Sequence, residues 1–200
     1  MRYTRRAVLG TAAVAGLGTV AGCLGSGDPP EAPVAGDPDA DVTVTVYEDF
    51  SCPYCRDFKL DIVPQLEEAY LEPETIRYEH RNFPVPVDNW SLPVANAARD
   101  VFEESGSDDF WTFTTEIYEH LDAYSYDVIE QVADDVGADG SAVREAAEDE
   151  AHESTIEDDR SYAESEGVEG TPTVFVDGEQ VTLQELSFEQ VAAPIEDALE

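Results

Sequence analysis

Three cysteines are the residues of this 200-residue chain best able to do covalent chemistry, and two of them, Cys52 and Cys55, stand at C-x-x-C spacing. A structural zinc takes four ligands. Two thiols supply half that set, and none of His80, His120 and His152 lies at ligand spacing from another. A disulfide across so short a loop removes little chain entropy, so a purely structural bridge gains little. The spacing suits thiol–disulfide exchange, in which a thiolate attacks a disulfide sulfur and a second thiol resolves the mixed disulfide. Carriage of a soft metal such as Cu(I) is the competing use. It asks for nearby Met or His, but the single Met is the initiator and no His flanks the motif. No metal ligands are therefore assigned. Pro53 and Tyr54, between the two cysteines, are placed to tune thiolate stability.

The flanking elements must position that pair. Val42-Thr43-Val44-Thr45-Val46-Tyr47 is β-branched, apolar or aromatic throughout, as in a strand covered on both faces. Glu48-Asp49-Phe50-Ser51 is the turn, and Pro53 suits the first position of a helix. Phe58, Ile62, Leu66 and Ala69 give that helix an apolar stripe, and Pro64 bends it. Cys52 thus falls at a helix N-terminus, where unpaired N–H groups stabilise an anion. It is the nucleophile, and Cys55, one turn inside, the less accessible resolving thiol. A second strand runs Ile76 to Phe83. Gly170-Thr171-Pro172-Thr173 leads into Val174-Phe175-Val176, and Asp177-Gly178 signals a type I′ hairpin returning through Gln180-Val181-Thr182. Ser187-x-x-Gln190 predicts a capping box for a last helix with Val191, Ile195 and Leu199. Between Phe83 and Thr173 lie about 90 residues, far more than a crossover needs. They predict four helices. Val94, Ala98, Val101 and Phe102 mark the first, and Phe110, Phe113, Ile117 and Leu121 the second. The third is capped by Asp127-x-x-Glu130, and the fourth, acidic, runs from Ser141 to about Ser165.

Phe50-Ser51-Cys52-Pro53-Tyr54-Cys55 together with Gly170-Thr171-Pro172-Thr173 resembles the DsbA-like thiol–disulfide oxidoreductases of the thioredoxin superfamily. The resemblance covers residues 41–200. It implies an α/β thioredoxin fold with a helical insertion, about 87–165, between the second strand and the cis-Pro strand. Glutaredoxins can share Cys-Pro-Tyr-Cys, but they lack such an insertion and an export signal. By the same resemblance Pro172 is the cis-proline facing the active disulfide, and Thr171 offers backbone groups to a substrate strand. The expected cofactor set is empty: the redox-active Cys52–Cys55 disulfide does the work. The implied partners are reduced exported proteins as substrates and a membrane quinone-linked protein that restores the oxidised form. Reductase or isomerase work stays open, because thioredoxin and DsbA differ by about 150 mV, or about 7 kcal/mol. A scaffold with an idle dithiol is a further alternative.

The first 22 residues contain no acid, and Arg2, Arg5 and Arg6 precede an apolar run from Ala7 to Gly22. That run is short for a membrane span. Thr4-Arg5-Arg6-Ala7-Val8-Leu9 resembles a twin-arginine export signal, and Val20-Ala21-Gly22-Cys23 resembles a lipobox, with Cys23 as the lipid attachment site. Residues 23–40, rich in Pro and Gly, read as a tether holding the domain outside the cytoplasmic membrane. The chain carries 46 Asp+Glu against 10 Lys+Arg, for a formal charge of −36. This argues against nucleic acid, whose phosphates need a basic footprint. It resembles the balance in proteins of salt-loving archaea, where concentrated salt screens self-repulsion.

Other groups are weighed against ordinary roles. Thioredoxin-like proteins often place an acid six residues before the first Cys, and here that position is Val46. Glu48 and Asp49 could relay protons but read first as solvated turn carboxylates. Arg56 either favours the Cys52 thiolate or, like Lys59, is a solvated helix charge. His80 reads as a satisfied strand histidine, and His120 and His152 as surface groups. Trp90, Phe110, Trp111 and Tyr118 read as insertion core, and the acids from Glu145 to Asp159 as a solvated face.

Overall fold

The computed structural model describes residues 29–85 and 88–200. The expected export signal and Cys23 lie outside the described residues. Among the described residues, no helix is long and apolar enough to cross a membrane.

Five strands form one sheet in the order β1-β3-β2-β4-β5. β2 (Thr43–Glu48) and β3 (Arg77–Asn82) pair in parallel, with Val46 opposite His80. β2 also pairs antiparallel with β4 (Thr173–Val176), and β4 turns into the two-residue β5 (Glu179–Gln180). The turn residues Asp177 and Gly178 take φ of 48° and 79°, the left-handed pair a type I′ turn requires.

β1 (Val34–Gly36) corrects the tether expectation. It lies antiparallel along the outer edge of β3, within the stretch read as a linker. An uncovered strand edge leaves backbone groups unpaired, and these residues cover it. Just before them, the Pro30 and Glu31 carbonyls accept hydrogen bonds from the buried Arg81 and Arg99 guanidiniums, at 2.7 and 2.6 Å. The folded domain therefore begins well before residue 41.

The helix after β2 is not uniform. α1 (Pro53–Asp57) passes through a π turn at Phe58–Ile62, a short α2 (Val63–Leu66) and a second π turn at Glu67–Leu71. The first π turn closes with the Val63 N–H on the Phe58 carbonyl, just before Pro64, which has no N–H to give. Phe58, Ile62 and Leu66 pack on one sheet face with Val44, Val46, Val174 and Val176, together with Val191 and Ile195 of α8 (Phe188–Leu199). The other face buries Tyr47 and Phe175 with Ala163 of the insertion.

The insertion consists of α3 (Ser91–Ser105), α4 (Ser107–Glu119), α5 (Tyr126–Val136), α6 (Gly140–Asp149) and α7 (Glu153–Ser165). Two expectations change here. Ser125, not Asp127, caps α5, accepting from the Val128 N–H at 3.2 Å. The single acidic helix from Ser141 is two, broken at Glu150 with φ of 50°. Nor does Ser187 form a capping box at α8, because Gln190 turns back to accept from the Gln184 N–H at 2.7 Å.

Candidate active site

Cys52 is the N-cap residue of α1, with Pro53 at the first helical position. Its thiol lies against the Thr171 carbonyl, Sγ to O 3.5 Å, and the Thr171–Pro172 peptide is cis. The two halves of the motif, over a hundred residues apart in sequence, thus face each other. Both thiols are free. Cys52 retains 6% of its surface in solvent, Cys55 none, while Tyr54 between them is 65% exposed. The helical twist accounts for this: Cys55 points into the core shared with Phe50 and the insertion, and Tyr54 points out.

The two thiols are pushed in opposite directions. Hydrogen bonding from Cys55 lowers Cys52 most, and the Thr171 side chain and the backbone N–H groups of Cys55 and Tyr54 add to it. Against the opposing effect of burial, they bring Cys52 down to about 6. Burial pushes Cys55 well above the ordinary thiol range, and the proton it shares with Cys52 and the Glu48 charge push it further. At neutral pH Cys52 is a thiolate and Cys55 a thiol.

Glu48 and Asp49 are not solvated turn carboxylates. Both are buried. Glu48 Oε2 meets His80 Nδ1 at 3.0 Å, and its Oε1 has no hydrogen-bond partner among the described residues. His80 is buried and satisfied, its Nε2 3.4 Å from Asn82 Oδ1. Asp49 Oδ1 accepts from the Ser51 N–H at 2.7 Å, and Oδ2 from the Val85 N–H at 2.7 Å and the Ser91 hydroxyl at 3.0 Å. Burial pushes this carboxyl up to about 6.

Lys59 also departs from expectation. It is buried, with Nζ 4.5 Å from the centre of the Trp111 ring, and burial lowers it to about 8 against the pull of Glu48 and Glu67. Its place follows from spacing, since residue 59 is four after Cys55 and shares its helix face. Arg56 pairs with Asp57 at 3.2 Å and Asp122 at 3.6 Å, and other groups hold the Cys52 thiolate. Phe110 and Tyr118 are insertion core as expected, and Trp111 bridges the insertion and sheet cores. His152 is no plain surface group: its Nε2 lies 2.9 Å from Asp100. Among the described residues, no cluster of His, Cys, Asp and Glu is arranged to hold a metal ion.

The thioredoxin family pattern matches residues 28–197. The chain belongs to the thioredoxin family. It is 25% identical over 173 residues to disulfide bond formation protein D of Bacillus subtilis, covering 84% of this chain and 77% of that protein. The structure of oxidised BdbD from Bacillus subtilis superposes with a TM-score of 0.77 at 23% identity, over 84% of this chain and 92% of that one. A further relative, Na(+)/H(+) antiporter NhaA 3 of Salinispora tropica, is 30% identical over 151 residues. This chain spans 22% of that antiporter's length, with 76% of its own residues aligned. The α/β thioredoxin fold with a helical insertion is shared with that solved structure.

Proposed function

We propose that this thioredoxin-family protein is a thiol–disulfide oxidoreductase that donates disulfides to exported proteins while tethered outside the cytoplasmic membrane. The observation that carries the reading is the placement of the two thiols, Cys52 at the start of α1 beside the Thr171 carbonyl of the cis-Pro172 peptide and Cys55 buried one turn on, which accords with the shift of Cys52 down to about 6 and of Cys55 up. In the oxidised protein a substrate thiolate attacks Cys52 Sγ. The Cys52–Cys55 bond breaks, its electron pair goes to Cys55, and that sulfur takes a proton. A second substrate thiolate then attacks the substrate sulfur of the mixed disulfide, and Cys52 leaves as a thiolate. The substrate loses two electrons and the protein gains them. A low leaving-group pKa speeds the last step and favours the reduced protein, which is what a disulfide donor needs.

Thr171, beside the thiol, supports substrate binding as an added strand at the cis-Pro172 loop. Exposed Tyr54 is the first side chain a docking protein meets, and Pro53 starts the helix that holds the thiolate. Arg5-Arg6 and Cys23 support twin-arginine export and a lipid anchor, and the charge of −36 supports work in concentrated salt. A membrane quinone-linked partner would reoxidise the dithiol. The test is a Cys55→Ser variant mixed with a disulfide-bearing unfolded protein. A mixed disulfide through Cys52 is expected to accumulate. No adduct in a folded variant refutes the exchange activity, and a reduction potential near that of thioredoxin refutes the direction.

A further inference from the structure

The three residues entering Cys52 are each bound to the helical insertion. The Asp49 carboxylate reaches the Val85 N–H and the Ser91 hydroxyl at the entry to α3. The carbonyls of Asp49 and Phe50 accept from the hydroxyls of Tyr118 at 3.3 Å and Tyr124 at 2.8 Å. The Ser51 hydroxyl donates to Asp88 Oδ1 at 2.7 Å, and Asp88 also accepts from the Trp90 N–H at 2.7 Å. Asp49 closes the set on the other side: it orders its own turn through the Ser51 N–H, and its carbonyl accepts from the Cys52 N–H at 3.0 Å. The exchange steps above use none of these groups.

We propose that Asp49 is a positioning residue. Its buried carboxylate clasps the turn before Cys52 to the segment entering the insertion, and so holds the sulfur where the Tyr54 and Cys55 amides and the Thr171 side chain meet. The titratable groups around it are Cys52 on its own turn, Cys55 of α1, which meets the Asp49 backbone, and Tyr118 and Tyr124 of the insertion, with Asp88 joined to the turn through the Ser51 hydroxyl. The thiolate and the carboxylate repel each other, so charge alone would make Asp49 weaken the thiolate. Positioning has the opposite sign. That difference makes the idea testable, and it rests on Cys52 being the reacting thiolate rather than on the direction of exchange.

The experiment titrates the Cys52 thiolate by its ultraviolet absorbance in the full reduced chain, in Asp49→Asn and in Ser91→Ala. An amide has one acceptor oxygen for three donors and turns its own N–H toward one of them. The Asp49→Asn midpoint is expected to rise by about one pH unit, cutting the thiolate fraction at pH 6 about fivefold. Ser91→Ala removes the hydroxyl, with its contacts to Asp49 and the Val85 carbonyl, but no charge, and is expected to shift the midpoint the same way by less. Ile156→Val, in the insertion core away from the clasp, is expected to lower the melting temperature without moving the midpoint. A midpoint unchanged or lowered in the folded clasp variants overturns the proposal, and Ser91→Ala alone decides if Asp49→Asn does not fold. The readout needs no substrate, so its failure is distinct from failure of disulfide donation.

Discussion

The split between the two thiols has a quantitative consequence for how the reduction potential follows pH. A two-electron couple falls by about 30 mV per pH unit for each proton taken up. With Cys52 near 6 and Cys55 well above the ordinary thiol range, reduction takes up two protons below pH 6 and one above it. The slope is therefore expected to change from about 59 to about 30 mV per unit near pH 6. A dithiol with both groups near 9 would keep the steeper slope past pH 8. At pH 7 a thiol of about 6 is about 90% ionised, and one of about 9 is about 1% ionised. The difference stabilises the reduced protein by about 1.4 kcal/mol, or about 30 mV, an upper figure because solvent on the open side of the sulfur screens part of it. Cys52 is depressed in the folded reduced state, so its contribution to stability is full above about pH 9, the unfolded value, and is lost as pH falls through about 6. The oxidised protein has no such term. Potentials measured against a glutathione buffer from pH 5 to 8, with Cys52 alkylation profiles, check this. A slope near 59 mV throughout, with alkylation still rising at pH 8, would refute the reasoning.

Two further substitutions test the frame that holds the site. Asp159→Ala strips the buried Arg81 of its nearer carboxylate at 2.9 Å, leaving it Glu79 at 3.6 Å, and leaves the Asn82 N–H and side-chain amide, at 3.2 and 3.1 Å, without an acceptor. Loss of one member of such a pair costs about 3–5 kcal/mol, which urea unfolding would register as a lower midpoint at constant slope, and an unchanged midpoint would count against the network. Gly36→Ala places a Cβ at φ +77° against the Ile76 carbonyl oxygen and Leu71. It is expected to cost about 1–3 kcal/mol and to speed hydrogen exchange at the His80 amide, which donates to the Pro33 carbonyl at 3.2 Å. Unaltered exchange there would mean that β1 does not guard the sheet edge.

Much of the fold was legible because its signals are local. A β-branched run, a Pro after a Cys, and Asp177-Gly178 each specify a conformation within a few residues. β1 was not legible, because three residues of ordinary composition become a strand only when β3 presents an edge. The break at Glu150 was hidden for a similar reason: no Gly or Pro marks it, and a Glu takes φ of 50° there. At α5 a neighbouring polar residue, Ser125, took the orphan donor expected of the Asp127 box, and at α8 the Gln190 side chain turned to the Gln184 N–H instead of the cap. At the site, the thiols and the helix start were readable from spacing, and the cis Pro172 only from the family resemblance. The burial of Glu48, Asp49 and Lys59 was not, since a charged residue in a very acidic chain is by default a solvated one.

The same periodicity that finds strands also explains where the buried acid came from. Side chains alternate across a strand, so Glu48 shares a face with Val46, one step further toward the active-site turn. Parallel pairing sets Val46 opposite His80, and His80 reaches along that face to Glu48. An apolar residue at 46 thus leaves the face below the cysteines free to take its carboxylate from the next inward position. A buried carboxylate with one unpartnered oxygen is costly to keep. Its charge raises Cys55 and favours the charged form of Lys59, so it acts on the side of the dithiol that the helix N-terminus does not reach. The Cys55 thiol, with Thr171 and the helix-end amides, lowers one sulfur, and the core and Glu48 raise the other. The low Cys52 value favours the reduced protein, and the same sulfur leaves a mixed disulfide readily because it is held easily as an anion.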